Sequence, residues 1–88
     1  MTMDIFEIKA AFFTIIDSVD DNEIPSERIQ DMRELTAAGD TDTALESLCS
    51  NLDDFDIAIT EDILSLIREI GQAMRINPKY WERLVVKE

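Results

Sequence analysis

Carboxylates are the chemically active side chains of this sequence, and they are concentrated in its middle third. Residues 53–62, DDFDIAITED, include five acidic side chains and no lysine or arginine. No basic residue occurs between Arg33 and Arg68, whereas nine acidic residues do. Clustered carboxylates can bind calcium, catalyse hydrolysis as a pair, or attract a positively charged partner.

Metal binding is not predicted. An EF-hand loop needs oxygen ligands at alternating positions, glycine at the sixth position and glutamate at the twelfth. Neither DDFDIAITED nor DTDTALESLCSN has that glycine, and neither ends in glutamate. Histidine is absent and Cys49 is the only cysteine, so a zinc site made of cysteine and histidine is excluded. We expect no metal and no other cofactor.

Catalysis is not predicted either, and we expect no enzyme. Without histidine the chain lacks the usual general base and the base of nucleophilic triads. Cys49 has an inward helical position and no basic neighbour that would lower its pKa, so a buried, unreactive thiol is expected. Some acids are explained by helix starts, where carboxylates are stabilising.

Composition predicts one folded acidic domain. The net charge is −12, yet 45% of the 88 residues are hydrophobic, which is too apolar for a disordered tail. A single cysteine allows no intrachain disulfide, so the cytoplasm is the expected compartment. The N-terminus does not resemble a signal peptide. An acidic surface repels nucleic acid phosphates and anionic lipids, so we expect direct binding to neither.

Hydrophobic spacing predicts an all-α bundle of four to five helices in a single domain over residues 1–88. The first helix is expected over residues 4–19, and Phe6 and Phe13 lie on a stripe beside its buried face. These two rings could complete the core or form a dimer contact, so the oligomeric state is left open. Pro25 fits the first turn of a second helix, which Gly39 would end.

The remaining helices are predicted from capping signals. Three starts are possible for the third helix, capped by Asp40, by Thr41, or by Thr43 with Glu46 as a capping box. Its expected buried residues are Leu45, Leu48, Cys49 and Leu52. Thr60 should cap the fourth helix, with Glu61 and Asp62 in its first turn. Asn77 should cap a short fifth helix.

Two segments keep alternative interpretations. Trp81 is expected in the core, whereas the hydroxyl of Tyr80 also permits a solvated edge. Phe55 either packs under the connector or forms an apolar anchor among the acids. The connector FDIAI is too short to predict a sheet, although it could pair as an extended piece in a complex.

The segments ALESLCSNLDDFDIAIT and LIREIGQAMRINPKYWERL together resemble small immunity proteins of the MafI type, which belong to polymorphic-toxin and contact-dependent growth inhibition systems. The residues that carry the resemblance are Ala44, Leu45, Glu46, Leu48, Cys49, Leu52, Asp56, Ile57, Ile59, Gly71, Met74, Trp81 and Leu84. The resemblance implies a cytoplasmic protein that binds the C-terminal toxin domain of a cognate effector. Such toxins are often nucleases, and a ribonuclease is favoured here.

The charge pattern agrees with that implication, since a nuclease presents lysine and arginine to phosphates and a carboxylate surface can occupy the same cleft. We predict a toxin-binding surface with a central group, an apolar anchor and a second rim. The central acids are Asp53, Asp54, Asp56, Glu61 and Asp62, the anchor is Phe55, and the rim is Asp40, Asp42 and Glu46.

Three alternatives stay open. The acids could be solvated helix ends, with the binding face on the first helix and the segment DSVDDNE. The protein could bind an exosite of the toxin instead of its active site. It could also be a general acidic adaptor or regulator of a cellular partner. The sequence does not identify the toxin or its substrate.

Overall fold

The computed structural model describes residues 3–20 and 23–87. Over these residues the chain forms five helices and a single isolated parallel β-bridge. The helices are α1 (Ile5–Val19), α2 (Ser26–Ala37), α3 (Thr41–Asp54), α4 (Glu61–Ala73) and α5 (Lys79–Glu82). The predicted all-α bundle is confirmed. None of these helices is long and apolar enough to cross a bilayer within the described part of the chain.

The helices enclose one hydrophobic core. α1 packs against α2 and α4, α3 packs against α2 and α5, and α5 also contacts α4. Apolar residues at helical spacing are fully buried, among them Phe12 of α1, Leu48 of α3 and Ile67 of α4. All four residues predicted for the inner face of α3 are buried, and so is Trp81. Packing of these amphipathic faces, more than helix propensity, holds the short helices in place.

α1 begins with a capping box, and α4 begins at its predicted cap. Asp4 Oδ1 accepts a hydrogen bond from the Glu7 amide at 2.9 Å, and Glu7 Oε1 accepts one from the Asp4 amide at 3.3 Å. Thr60 Oγ1 accepts a hydrogen bond from the Ile63 amide at 3.2 Å. Each contact satisfies an amide that the helix itself leaves without a partner.

Two other starts differ from simple capping. Asp40 occupies the N-cap position of α3, but its side chain makes no capping hydrogen bond, and the Thr43–Glu46 alternative is not used because both residues lie inside the helix. In α5 the N-cap position is Pro78. Asn77 still contributes, because its Oδ1 accepts a hydrogen bond from the Lys79 amide at 3.0 Å.

The end of α2 is a Schellman motif at Gly39, as its glycine predicts. The Gly39 amide donates to the Thr36 carbonyl at 3.1 Å, and the Asp40 amide donates to the Leu35 carbonyl at 2.9 Å. Gly39 has a φ of 83°, which glycine adopts without steric cost.

The ends of α3 and α4 repeat this motif without glycine. After α3 the left-handed residue is Asp56, with a φ of 52°, and after α4 it is Arg75, with a φ of 58°. The Ile57 amide donates to the Leu52 carbonyl at 2.9 Å to complete the first of these motifs. A side chain in this conformation costs about 1 kcal/mol relative to glycine.

The connector after α3 pairs with the chain's own C-terminal segment. The Ile59 amide donates to the Val85 carbonyl at 2.8 Å, and the Lys87 amide donates to the Ile59 carbonyl at 2.8 Å. The sequence suggested extended pairing of the connector in a complex, whereas the structure shows it paired within the chain. It holds the segment after α5 beside the start of α4.

Candidate functional site

The eight predicted carboxylates all lie on the surface. They are Asp40, Asp42, Glu46, Asp53, Asp54, Asp56, Glu61 and Asp62, and each is exposed. Among the described residues, ion pairs form only between Arg33 and the carboxylates of Asp17 and Asp20. None of the eight side chains accepts a hydrogen bond from a described residue. Their charges are therefore available to a partner.

On α3 these acids occupy two faces. Asp42 and Glu46 are four residues apart, and Asp53 follows Glu46 by seven, so the three lie along one side of the helix. Asp54 comes one residue after Asp53 and is rotated by about 100° from it. The helix thus places Asp54 on a different side from the other three acids.

Glu46 and Asp53 line a surface groove between α3 and α5, with a volume of about 480 Å³. α3 contributes Glu46, Cys49, Ser50 and Asp53, and the α5 segment contributes Lys79, Tyr80, Glu82 and Arg83. Lys79 Nζ lies 5.4 Å from the centroid of the Tyr80 ring. The sequence shows no basic residue near these α3 acids, but the fold places Lys79 and Arg83 across the groove from them.

Sequence reasoning missed this groove because its two sides are some thirty residues apart in the chain. The only signal was the concentration of basic residues in the segment RINPKYWERL.

Phe55 is half-buried and packs against the core. The guanidinium carbon of Arg28 lies 5.5 Å from the centroid of its ring. Arg28 Nη1 also donates to Asn51 Oδ1 at 3.1 Å, and the buried Asn51 donates from Nδ2 to the Ser47 carbonyl at 2.9 Å. Phe55 is therefore partly a core residue, with the Arg28 cation stacked on its ring beside the predicted anchor position.

The two halves of DDFDIAITED differ in their effect on the fold. Glu61 and Asp62 lie in the first turn of α4, where the helix dipole stabilises a negative charge by roughly 0.3–1 kcal/mol. Asp53, Asp54 and Asp56 lie at the C-terminal end of α3, where the same dipole is unfavourable and no basic residue occupies the last turn. Only the second half is stabilised by helix geometry.

Cys49 is buried beside the groove. Removal from water disfavours the thiolate and raises the pKa of the Cys49 thiol to about 12. The thiol is consequently a small apolar group at neutral pH, as its position in the sequence predicts.

The alternative surface near the end of α1 is only partly described. Asp21 and Asn22 of the segment DSVDDNE lie outside the described residues. Arg33 Nη1 lies 2.8 Å from Asp17 Oδ1, and Arg33 Nη2 lies 3.3 Å from Asp20 Oδ2. The hydrogen bond to Asp17 is the main reason that the pKa of Arg33 is raised. The acids of this surface are therefore partly neutralised by the fold.

The two phenylalanines left open by the sequence lie in different settings on α1. Phe6 is 78% exposed, while Phe13 is half-buried.

In the described ranges, no three side chains of metal-binding type lie close enough to hold an ion. The absence of cofactors stays a prediction.

Comparison with models of known protein families, with curated proteins and with solved structures found no match to this chain. The likeness to immunity proteins therefore depends on the residues quoted from the sequence, and membership of that family stays a prediction.

Proposed function

We propose that this protein is a cytoplasmic immunity protein that binds a cognate bacterial toxin domain and blocks it without catalysis. We favour a nuclease as the toxin, and a ribonuclease over a deoxyribonuclease. The acidic surface of the immunity protein occludes the basic active-site cleft of the nuclease. This proposal rests on the sequence resemblance and on the placement of the unpaired acids.

The observation that carries the proposal is the acidic end of α3. Asp53, Asp54 and Asp56 are exposed, unpaired within the described residues, and placed where the helix dipole disfavours them. Asp56 also holds a left-handed backbone conformation, which aspartate tolerates better than most side chains, so its residue type is partly explained by the fold. The fold gains nothing from the charges of Asp53 and Asp54, so a role in binding is the better explanation for them.

Electrostatic attraction supplies the first step of binding. The net charge of −12 produces a negative field that extends over roughly one Debye length, about 8 Å at physiological salt. Such fields raise association rates by about ten- to a thousand-fold for partners of opposite charge. A nuclease cleft is such a partner because it must bind phosphates.

Occlusion is the second step. Exposed carboxylates can occupy the positions that substrate phosphates take in the cleft. They lie on the connector, at the end of α3 and at the start of α4, where Glu61 and Asp62 follow the α3 acids in the sequence. No group of the inhibitor needs to react, because filling the cleft is sufficient to exclude RNA or DNA.

The deciding experiment titrates the purified protein against the polypeptide encoded beside its gene, with RNA and DNA cleavage as readouts. Stoichiometric loss of cleavage would support an immunity protein and would also identify the substrate. If the neighbouring polypeptide cleaves neither nucleic acid or does not bind, the proposal fails. A general acidic adaptor then becomes the leading explanation.

A further inference from the structure

The groove between α3 and α5 has one acidic side and one side with a net positive charge. Glu46 and Asp53 lie on the α3 side, and Lys79, Glu82 and Arg83 lie on the other. All five side chains are exposed, and none forms an ion pair with a described residue. The acidic side and the net positive side therefore face each other without neutralising each other.

The groove also contains two hydroxyl groups, from Ser50 and Tyr80. Neither hydroxyl has a hydrogen-bond partner among the residues described. Tyr80 is half-buried, so its ring offers an apolar surface as well. Small-molecule and peptide sites commonly combine a concave surface with a few polar groups of this kind.

The two acids of the groove are within reach of basic side chains on one extended peptide. Glu46 and Asp53 are seven residues apart, which is about 10 Å along a helix axis. In an extended chain, side chains on the same side recur about every 7 Å, and neighbouring side chains point in opposite directions. The long, flexible side chains of lysine and arginine span the difference of about 3 Å. A segment of alternating basic and acidic residues therefore presents its bases to one side and its acids to the other.

We propose that the α3–α5 groove binds an extended partner segment whose basic side chains meet Glu46 and Asp53 and whose acidic side chains meet Lys79 and Arg83. The groove then selects the partner, whereas the overall charge only attracts it. This inference rests on the proposed function for the identity of the partner, which would be the toxin.

Charge reversal on the basic side tests the proposal with the toxin. The double variant K79E/R83E changes the net charge from −12 to −16, since each substitution adds two negative charges. General attraction to a basic cleft predicts tighter binding for this variant. The groove proposal predicts dissociation at least about tenfold faster, because like charges now oppose the acidic side chains of the segment.

The matched control is R68E/R75E, which reaches the same net charge with two exposed residues outside the groove. We expect the control to associate at least as fast as the native protein and to dissociate at the native rate. If K79E/R83E dissociates no faster than this control, the groove proposal is wrong even though the inhibitor binds its toxin.

A second test needs no toxin. The peptide acetyl-Arg-Glu-Arg-Glu-amide is compared with acetyl-Arg-Arg-Glu-Glu-amide, which has the same composition and a different order. NMR titration should show the alternating peptide shifting the Ser50 amide and the Tyr80 ring signals, with an affinity at least about threefold higher. Equal affinities, or no shift at these residues at millimolar peptide, would overturn the proposal. Success here together with a failed toxin titration would retain the groove and reject the immunity function.

Discussion

Gly71 lies against the indole ring of Trp81, and replacing it with alanine should destabilise the protein. A Cβ at position 71 would lie 2.3 Å from Trp81 Cη2 and 2.3 Å from Cζ3. Carbon atoms in proteins pack at about 3.5–4.0 Å, so the overlap exceeds an ångström. Trp81 is only 6% exposed, and the ring cannot move without disturbing the core.

The magnitude follows from two opposing effects. Alanine improves helix propensity by about 0.8–1.0 kcal/mol over glycine. Overpacking costs about 1–3 kcal/mol, and an overlap with two ring carbons belongs at the upper end of that range. Gly71→Ala should therefore lower the free energy of unfolding by about 2 kcal/mol. For a domain of this size, the melting temperature should fall by about 8–16 °C.

A double-mutant cycle with Trp81→Phe identifies the cause. Phenylalanine lacks the outer ring atoms that the new methyl group would meet, so Gly71→Ala should be neutral or slightly stabilising in that background. The coupling free energy should be about 2–3 kcal/mol. Urea unfolding followed by circular dichroism measures all four proteins, including those without the only tryptophan. A coupling near zero, or a stable Gly71→Ala variant, would refute the described contact.

Three further predictions concern the charged and buried residues. Replacing Asp53, Asp54 and Asp56 together by asparagine should slow toxin association by about tenfold and flatten its salt dependence, as stopped-flow measurements would show. The control replaces three acids on α2, namely Glu27, Asp31 and Glu34. Asp56→Gly should raise the free energy of unfolding by about 1 kcal/mol in urea melts, because glycine adopts the left-handed conformation of residue 56 without the steric cost of a side chain. An unchanged or lower stability would contradict that conformation. The raised pKa of Cys49 means that the folded state holds the thiol proton more tightly than the unfolded state does. Between about pH 9 and about pH 12, the native protein should therefore lose about 1.4 kcal/mol of stability per pH unit relative to Cys49→Ala. Equal pH profiles of stability for the two proteins would contradict a buried thiol.

Local signals predicted most of the fold. The Thr60 cap and the apolar faces of α1, α3 and α4 depend on residues three or four apart, which are neighbours in any helix. Gly39 marked the end of α2 for the same reason. The ends of α3 and α4 were less visible, since Asp56 and Arg75 take the left-handed position in place of glycine.

Contacts between distant segments were not predictable in this way. The Arg28 cation over Phe55 and the opposing charges of the α3–α5 groove depend on how helices pack, and no local pattern encodes that. The connector pairs with the chain's own C-terminal segment for the same kind of reason. The nine acids of the middle third therefore seemed uniformly uncompensated, whereas the fold separates them into different electrostatic settings.

The different electrostatic settings of the acids suggest how a strongly acidic protein can still choose among basic partners. A net charge of −12 attracts every basic protein, so it can raise an association rate but cannot choose among partners. A choice requires a surface where a misplaced charge is penalised, and such a surface needs both signs. The α3–α5 groove holds unpaired charges of both signs, whereas Arg33 at the end of α1 is already bound to Asp17 and Asp20. Asp54 and Asp56, which lie outside the groove, would therefore contribute to the rate of encounter, and the groove, which includes Asp53, would set the lifetime of the complex.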